Sequence, residues 1–100
     1  MKTTISINTV ISVAEDQISG DLQDGEVVIL NMNDDVYYGL DQVGGRIWNL
    51  VQDPITFGEI IQTLLEEFDV EFQQCSKDVL ALLEDMLSKG LIEIRNGEFE

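Results

Sequence analysis

The chain has 100 residues, 44% of them hydrophobic, which suits one domain with a single small core. Twenty Asp and Glu against five Lys and Arg give a formal charge of −15, which weighs against nucleic acid and anionic membrane surfaces because both require basic contacts. One cysteine and no histidine exclude an intramolecular disulfide and remove the usual ligands of a structural zinc site.

The start, Met1-Lys2-Thr3-Thr4-Ile5-Ser6-Ile7, alternates polar and apolar residues and lacks the continuous apolar core of a signal peptide. No apolar run reaches membrane-spanning length. The expected location is therefore the cytoplasm. From Thr3 to Val13 the odd positions carry Thr3, Ile5, Ile7, Thr9, Ile11 and Val13, the period of a strand with one covered face. A weaker strand-like stretch runs from Gln17 to Leu22. Both compete for the position of first strand in the sheet.

Asp24-Gly25 marks a turn. Val27, Val28, Ile29 and Leu30 then run without a polar residue, which predicts a central strand from Glu26 to Met32 covered on both faces. Asn31 to Asp35 supplies turn residues, and Val36-Tyr37-Tyr38-Gly39-Leu40 returns as a short paired strand. Its two tyrosines point to opposite faces, so one of them belongs to the core.

Beyond Leu40 the period becomes helical. Val43, Ile47, Trp48 and Val51 share a face, Asp41 is placed as N-cap, and Gly44-Gly45 implies a close approach by another element. Asp53-Pro54 ends this helix. Thr56 with Glu59 forms a capping box for a second helix containing Ile60, Ile61, Leu64, Leu65 and Phe68. Val70 and Phe72 bridge to a third helix, capped by Ser76, with a stripe of Val79, Leu80, Leu83, Met86 and Leu87. Lys89-Gly90 closes it, and Leu91-Ile92-Glu93-Ile94 forms a last short strand. The expected fold is α+β over residues 1–100: a small antiparallel sheet of about three strands, then three helices, in a winged helix-turn-helix-like arrangement.

Residues suited to catalysis are scarce. Cys75 has no histidine to act as its base and reads as a small hydrophobe. The pairs Glu66-Glu67 and Glu84-Asp85 diverge on helical faces, Asp34-Asp35 belongs to a turn, and Gly44-Gly45 lacks phosphate-loop spacing. The reading is therefore a binding protein without catalysis, cofactor or metal. Val36 to Leu40, at a sheet edge, can accept an extended peptide as an added strand, and Gly39 lets a second backbone approach. Cys75, Asp78, Leu82 and Asp85 lie on one stripe of the third helix and suit a groove for a peptide with apolar anchors and basic residues.

Several segments in joint spacing resemble the PqqD-like family: Asp24-Gly25-Glu26-Val27-Val28-Ile29-Leu30, Val36 to Leu40, Ile47-Trp48, Phe68-Asp69-Val70, Asp78-Val79, Leu83, Leu87 and Gly90-Leu91-Ile92. Within that family the likeness is to the stand-alone leader-binding recognition elements of split lasso peptide leader peptidases. The resemblance implies three strands and three helices. It also implies a non-catalytic role: binding the leader of a ribosomally made precursor peptide along the third strand and third helix. Partners would be a transglutaminase-like leader peptidase and a macrolactam cyclase. Carried onto this chain, Val36, Tyr37, Tyr38 and Gly39 would pair with the leader. Asp78, Val79, Leu82 and Asp85 would form the helix wall, and Asp34 and Asp35 would meet basic leader residues. Two other functions fit the sequence: an acidic inhibitor or nucleic-acid mimic that binds a basic protein, and a PqqD-type peptide chaperone for a radical SAM enzyme.

Overall fold

The computed structural model describes residues 5–96. Strands β1 (Thr9–Val13), β2 (Gln17–Asp21), β3 (Val27–Asn31) and β4 (Val36–Leu40) precede helix α1 (Gln42–Leu50). The two-residue strand β5 (Ile55–Thr56), helices α2 (Phe57–Glu67) and α3 (Phe72–Ser88), and strand β6 (Ile92–Asn96) follow. No helix among the described residues is long and apolar enough to cross a membrane.

The predicted α+β plan holds, with one addition. The strands form two antiparallel sheets, ordered β2-β3-β4 and β5-β1-β6. The competition for first strand is resolved by this division. Gln17–Asp21 pairs with β3, while Thr9–Val13 leaves for the second sheet and pairs with β6 in the register Thr9↔Asn96 to Val13↔Ile92. The strand expected from Thr3 begins only at Thr9. Thr3 lies outside the described residues, and the Ser6 N–H donates to Thr9 Oγ1 (2.9 Å), a local bond that turns the chain.

The core joins Ile11, Val27, Ile29, Ile47, Trp48, Ile60, Leu64, Val79, Leu83 and Met86 with their buried neighbours. The local helix signals hold where side chains meet the backbone as predicted. Asp41 Oδ1 accepts from the Gly44 N–H (2.8 Å), and Thr56 and Glu59 form a reciprocal capping box. The close approach expected at the glycine pair falls at Gly45. A Cβ there would overlap the Gly25 carbonyl oxygen and touch Val27 Cγ2, so only glycine lets α1 seat on the turn before β3. Gly90 ends α3 with φ +76°, as a C′ glycine.

Two expectations are corrected. Helix α3 starts at Phe72, a full turn before Ser76. Its N-cap is Glu71, without a side-chain cap, and the Cys75 N–H donates to the Glu71 carbonyl (2.8 Å) to close the first turn. Phe72 to Lys77 contains no Gly or Pro to stop the helix, so Ser76 sits inside it. Strand β3 is not covered on both faces. Val27, Ile29 and Asn31 are buried, whereas Val28 and Leu30 on the opposite face are only half-buried.

Candidate functional site: an open strand edge above a groove

The direction of every backbone group in the β2-β3-β4 sheet follows from its flanking bonds. The Met32 N–H donates to the Asp16 carbonyl (3.0 Å) and the Leu22 N–H donates to the Glu26 carbonyl (2.7 Å). With the register Ile18↔Leu30 and Gly20↔Val28, the even-numbered residues of β3 therefore bond towards β2. Val27, Ile29 and Asn31 bond the other way, to their partners Leu40, Tyr38 and Val36. Tyr37 and Gly39 are left with N–H and C=O directed away from the sheet. No strand among the described residues pairs with that edge.

Side chains of β4 alternate between the two faces. Tyr38 and Leu40 pack against the core, and Val36 lies on the same side. Tyr37 lies on the other face and is 70% exposed, so the sequence reading that one tyrosine belongs to the core holds, for Tyr38. A Cβ at Gly39 would meet nothing within 4 Å, so no contact within the chain requires glycine there.

Between this edge and α3 lies a groove of about 650 Å³. Gly39, Leu40 and Asp41 form one wall, and Gln74, Cys75, Asp78, Val79 and Leu82 form the other. Val43, Gly44 and Ile47 from α1 and Leu64 from α2 lie beneath, with Phe68 and Val70 at one end. The lining is mainly apolar, with carboxylates at Asp41 and Asp78 and no Lys or Arg. Asp41 is engaged at the α1 cap, and Asp78 accepts from Gln74 Nε2 (2.9 Å). Burial, and secondarily the nearby Asp78 charge, push the Cys75 thiol above its ordinary pKa, so it stays protonated at neutral pH.

Past Leu82, beyond the groove's lining, α3 reaches the hairpin turn. Asp85 and Lys89 form an i,i+4 ion pair (2.8 Å), and the Lys89 ammonium lies 5.1 Å from the centre of the Tyr38 ring. Asn31, buried at the end of β3, donates through Nδ2 to the Lys89 carbonyl (3.3 Å) and accepts at Oδ1 from the Asn33 N–H (2.9 Å). It thereby ties the β3–β4 turn to the C-terminus of α3.

Of the residues singled out from sequence, Gly39, Cys75, Asp78, Val79 and Leu82 line the groove. Val36, Tyr37 and Tyr38 lie along the open strand. Asp34 and Asp35 are exposed in the turn beside it, and Asp85 lies outside the lining with its carboxylate held by Lys89. Sequence reasoning missed Asn31, Gln74 and the groove roles of Val43, Phe68 and Val70. The signal at Val43 and Val70 is an apolar residue left exposed (38% and 45%), which helical periodicity alone does not reveal. Among the described residues no group of three or more Cys, Asp and Glu is arranged to hold a metal ion.

This is a small α+β domain with an unpaired strand edge facing a helix across an apolar groove. The sequence profile of the family described as coenzyme PQQ synthesis protein D (PqqD) matches residues 26–92, and the chain belongs to that family. The solved structure of TbiB1 in complex with the TbiA(beta) leader peptide is 30% identical. The match covers 82% of this chain and 94% of that one, with a TM-score of 0.76. A lasso peptide synthetase B1 complexed with its leader peptide is 19% identical over 83% of this chain and 96% of that one (TM-score 0.73), a likeness of fold. A comparison with curated proteins returns no match.

Proposed function

We propose that the protein binds the leader segment of a lasso-type precursor peptide as an added strand beside β4. It presents that peptide to a transglutaminase-like leader peptidase and then a macrolactam cyclase, in the cytoplasm where such precursors are made. It performs no chemistry itself. The observation that carries this reading is the outward set of N–H and C=O groups at Tyr37 and Gly39, on the strand whose Gly39 and Leu40 line the groove. A peptide strand pairing there satisfies its own backbone and drops alternate side chains between β4 and α3. Leu82, Val79 and Cys75 offer contact to apolar anchors, while Asp78 and the turn carboxylates Asp34 and Asp35 suit flanking basic residues. Two proteins of like fold have solved structures in complex with leader peptides, which supports leader binding.

The charge of −15 favours a second reading, an acidic inhibitor of a basic protein. Salt separates the two. Screening shortens from about 10 Å at 0.1 M to about 3 Å at 1 M ionic strength. Fluorescence polarisation with the labelled leader of a lasso-type precursor found in the neighbouring genes should give micromolar or tighter binding. Affinity should fall less than about tenfold over that range, because apolar contacts and ladder bonds persist. No binding at 0.1 M, or a collapse by several decades at 1 M, would reject the groove-bound leader.

A further inference from the structure

The outer face of the β2-β3-β4 sheet has an unusual character. The core and all three helices lie on the face of Val27, Ile29 and Tyr38. The opposite face carries the cross-strand row Ile18–Leu30–Tyr37, and beside it the row Gly20–Val28–Gly39. Ile18 is 55% and Tyr37 70% exposed, and Met32, continuing the alternation of β3, is 50% exposed. An antiparallel sheet with one wet face normally alternates to polar residues there. Here the wet face is apolar, and the two glycines leave Val28 standing clear of its neighbours, since a Cβ at either would meet nothing within 4 Å. In a chain this acidic, a contiguous uncovered apolar face marks an interaction surface.

The rim of that face decides what covers it. Asp16, Asp34 and Asp35 lie exposed at one end of the sheet, and Asp24 and Glu26 at the other. No Lys or Arg occurs between Lys2 and Arg46, so nothing on this sheet offsets them. Two copies stacked face to face would set carboxylates against carboxylates at both ends, which opposes self-association. We infer that this face docks a different protein, one whose contact surface is apolar at its centre and bordered by Lys and Arg. Resting on the function proposed above, that protein is the leader peptidase to which the peptide is first delivered. The peptide at the β4 edge and the enzyme on the outer face then occupy different sides of one small sheet.

The test uses the full chain, the labelled leader, and a transglutaminase-like leader peptidase found in the neighbouring genes. Ile18→Lys places a charge at the centre of the face on β2, the strand farthest from the leader edge, where an exposed edge lysine suits the fold. Expected are at least tenfold weaker peptidase binding by biolayer interferometry and leader affinity within twofold of the native protein. Retained leader binding also reports an intact fold. A second variant, Glu26→Lys, whose side chain shares the face of Val28 and Leu30, should slow peptidase association at least twofold at 0.1 M salt and little at 1 M. Native peptidase binding by Ile18→Lys overturns the assignment, as does a native protein that binds the leader but not the peptidase. Dimerisation of the native chain in sedimentation, lost in Ile18→Lys, reassigns the face to a second copy and also overturns it. Failure of the leader arm alone strikes the proposed function instead.

Discussion

Gly39→Pro isolates the backbone contribution of the open edge. Across the β3–β4 ladder Gly39 faces Val28, whose own N–H and C=O bond to β2, so no bond of the sheet uses the Gly39 N–H. Proline at an edge strand with its nitrogen towards solvent is tolerated, and it keeps the preceding Tyr38 extended. The free protein should therefore lose little stability, within about 1 kcal/mol. The complex should lose more. One ladder bond contributes roughly 0.5–1.5 kcal/mol net, and the peptide carbonyl left facing the ring loses its donor. Together these cost about 1–3 kcal/mol, or roughly 5- to 150-fold in Kd. Ser19→Pro is the matched control. Ser19 faces Ile29, which bonds to β4, so its N–H also points outward, but at the opposite edge on β2. Polarisation titrations of both variants, with thermal melts alongside, should show a weakened leader only for Gly39→Pro. Native affinity in a folded Gly39→Pro protein would refute strand addition at β4.

Three further outcomes follow from the geometry. Gly45→Ala should destabilise the fold by about 1–3 kcal/mol, because the overlap with the Gly25 carbonyl outweighs the roughly 1 kcal/mol gained in helix propensity; a raised melting temperature would contradict the packing of α1 on that turn. Asn31→Ala removes the bonds to Lys89 and Asn33 and should cost about 1–3 kcal/mol, a fall of about 4–8 °C in Tm per kcal/mol. Thermal denaturation followed by the fluorescence of Trp48, the sole tryptophan and fully buried, checks both. Cys75, with its thiol held protonated by burial, should react with iodoacetamide more slowly than a free cysteine at pH 7, and the rate should rise with pH and level off only above the elevated pKa. Saturating leader should slow it at least a further tenfold; an unchanged rate measured by mass spectrometry would mean that the groove stays empty.

What the sequence disclosed was local. The Asp41 cap, the Thr56–Glu59 box, the Gly90 stop and the β3–β4 hairpin each depend on residues within a few positions, and each stands where the pattern put it. The split into two sheets was illegible because it rests on Thr9 pairing with Asn96 across almost the whole chain, and no periodicity records that. Helix α3 has no capping side chain at its true start, so the nearest good capping residue, Ser76, misled. The groove was legible on its α3 side, where Cys75, Asp78 and Leu82 recur at helical spacing. It was illegible at Val43, Phe68 and Val70, because which apolar residues stay uncovered depends on how three helices meet.

The run Val27-Val28-Ile29-Leu30 shows where pattern reading stops and chemistry begins. An uninterrupted apolar strand has two solutions: both faces covered within the domain, or one face left for something else. Composition cannot choose between them, since the residues are the same. The fold chooses the second, burying Val27 and Ile29 and leaving Val28 and Leu30 beneath no helix. Strand β4 then inherits three separate surfaces from a period of two: Tyr38 and Leu40 side chains to the core, Tyr37 to the outer face, and the Tyr37 and Gly39 backbone to the edge. Side-chain substitutions can alter one of these surfaces without touching the other two. For that reason a backbone change at Gly39 and a side-chain change at Ile18 should separate peptide binding from enzyme docking, although the two surfaces belong to one sheet only three strands wide.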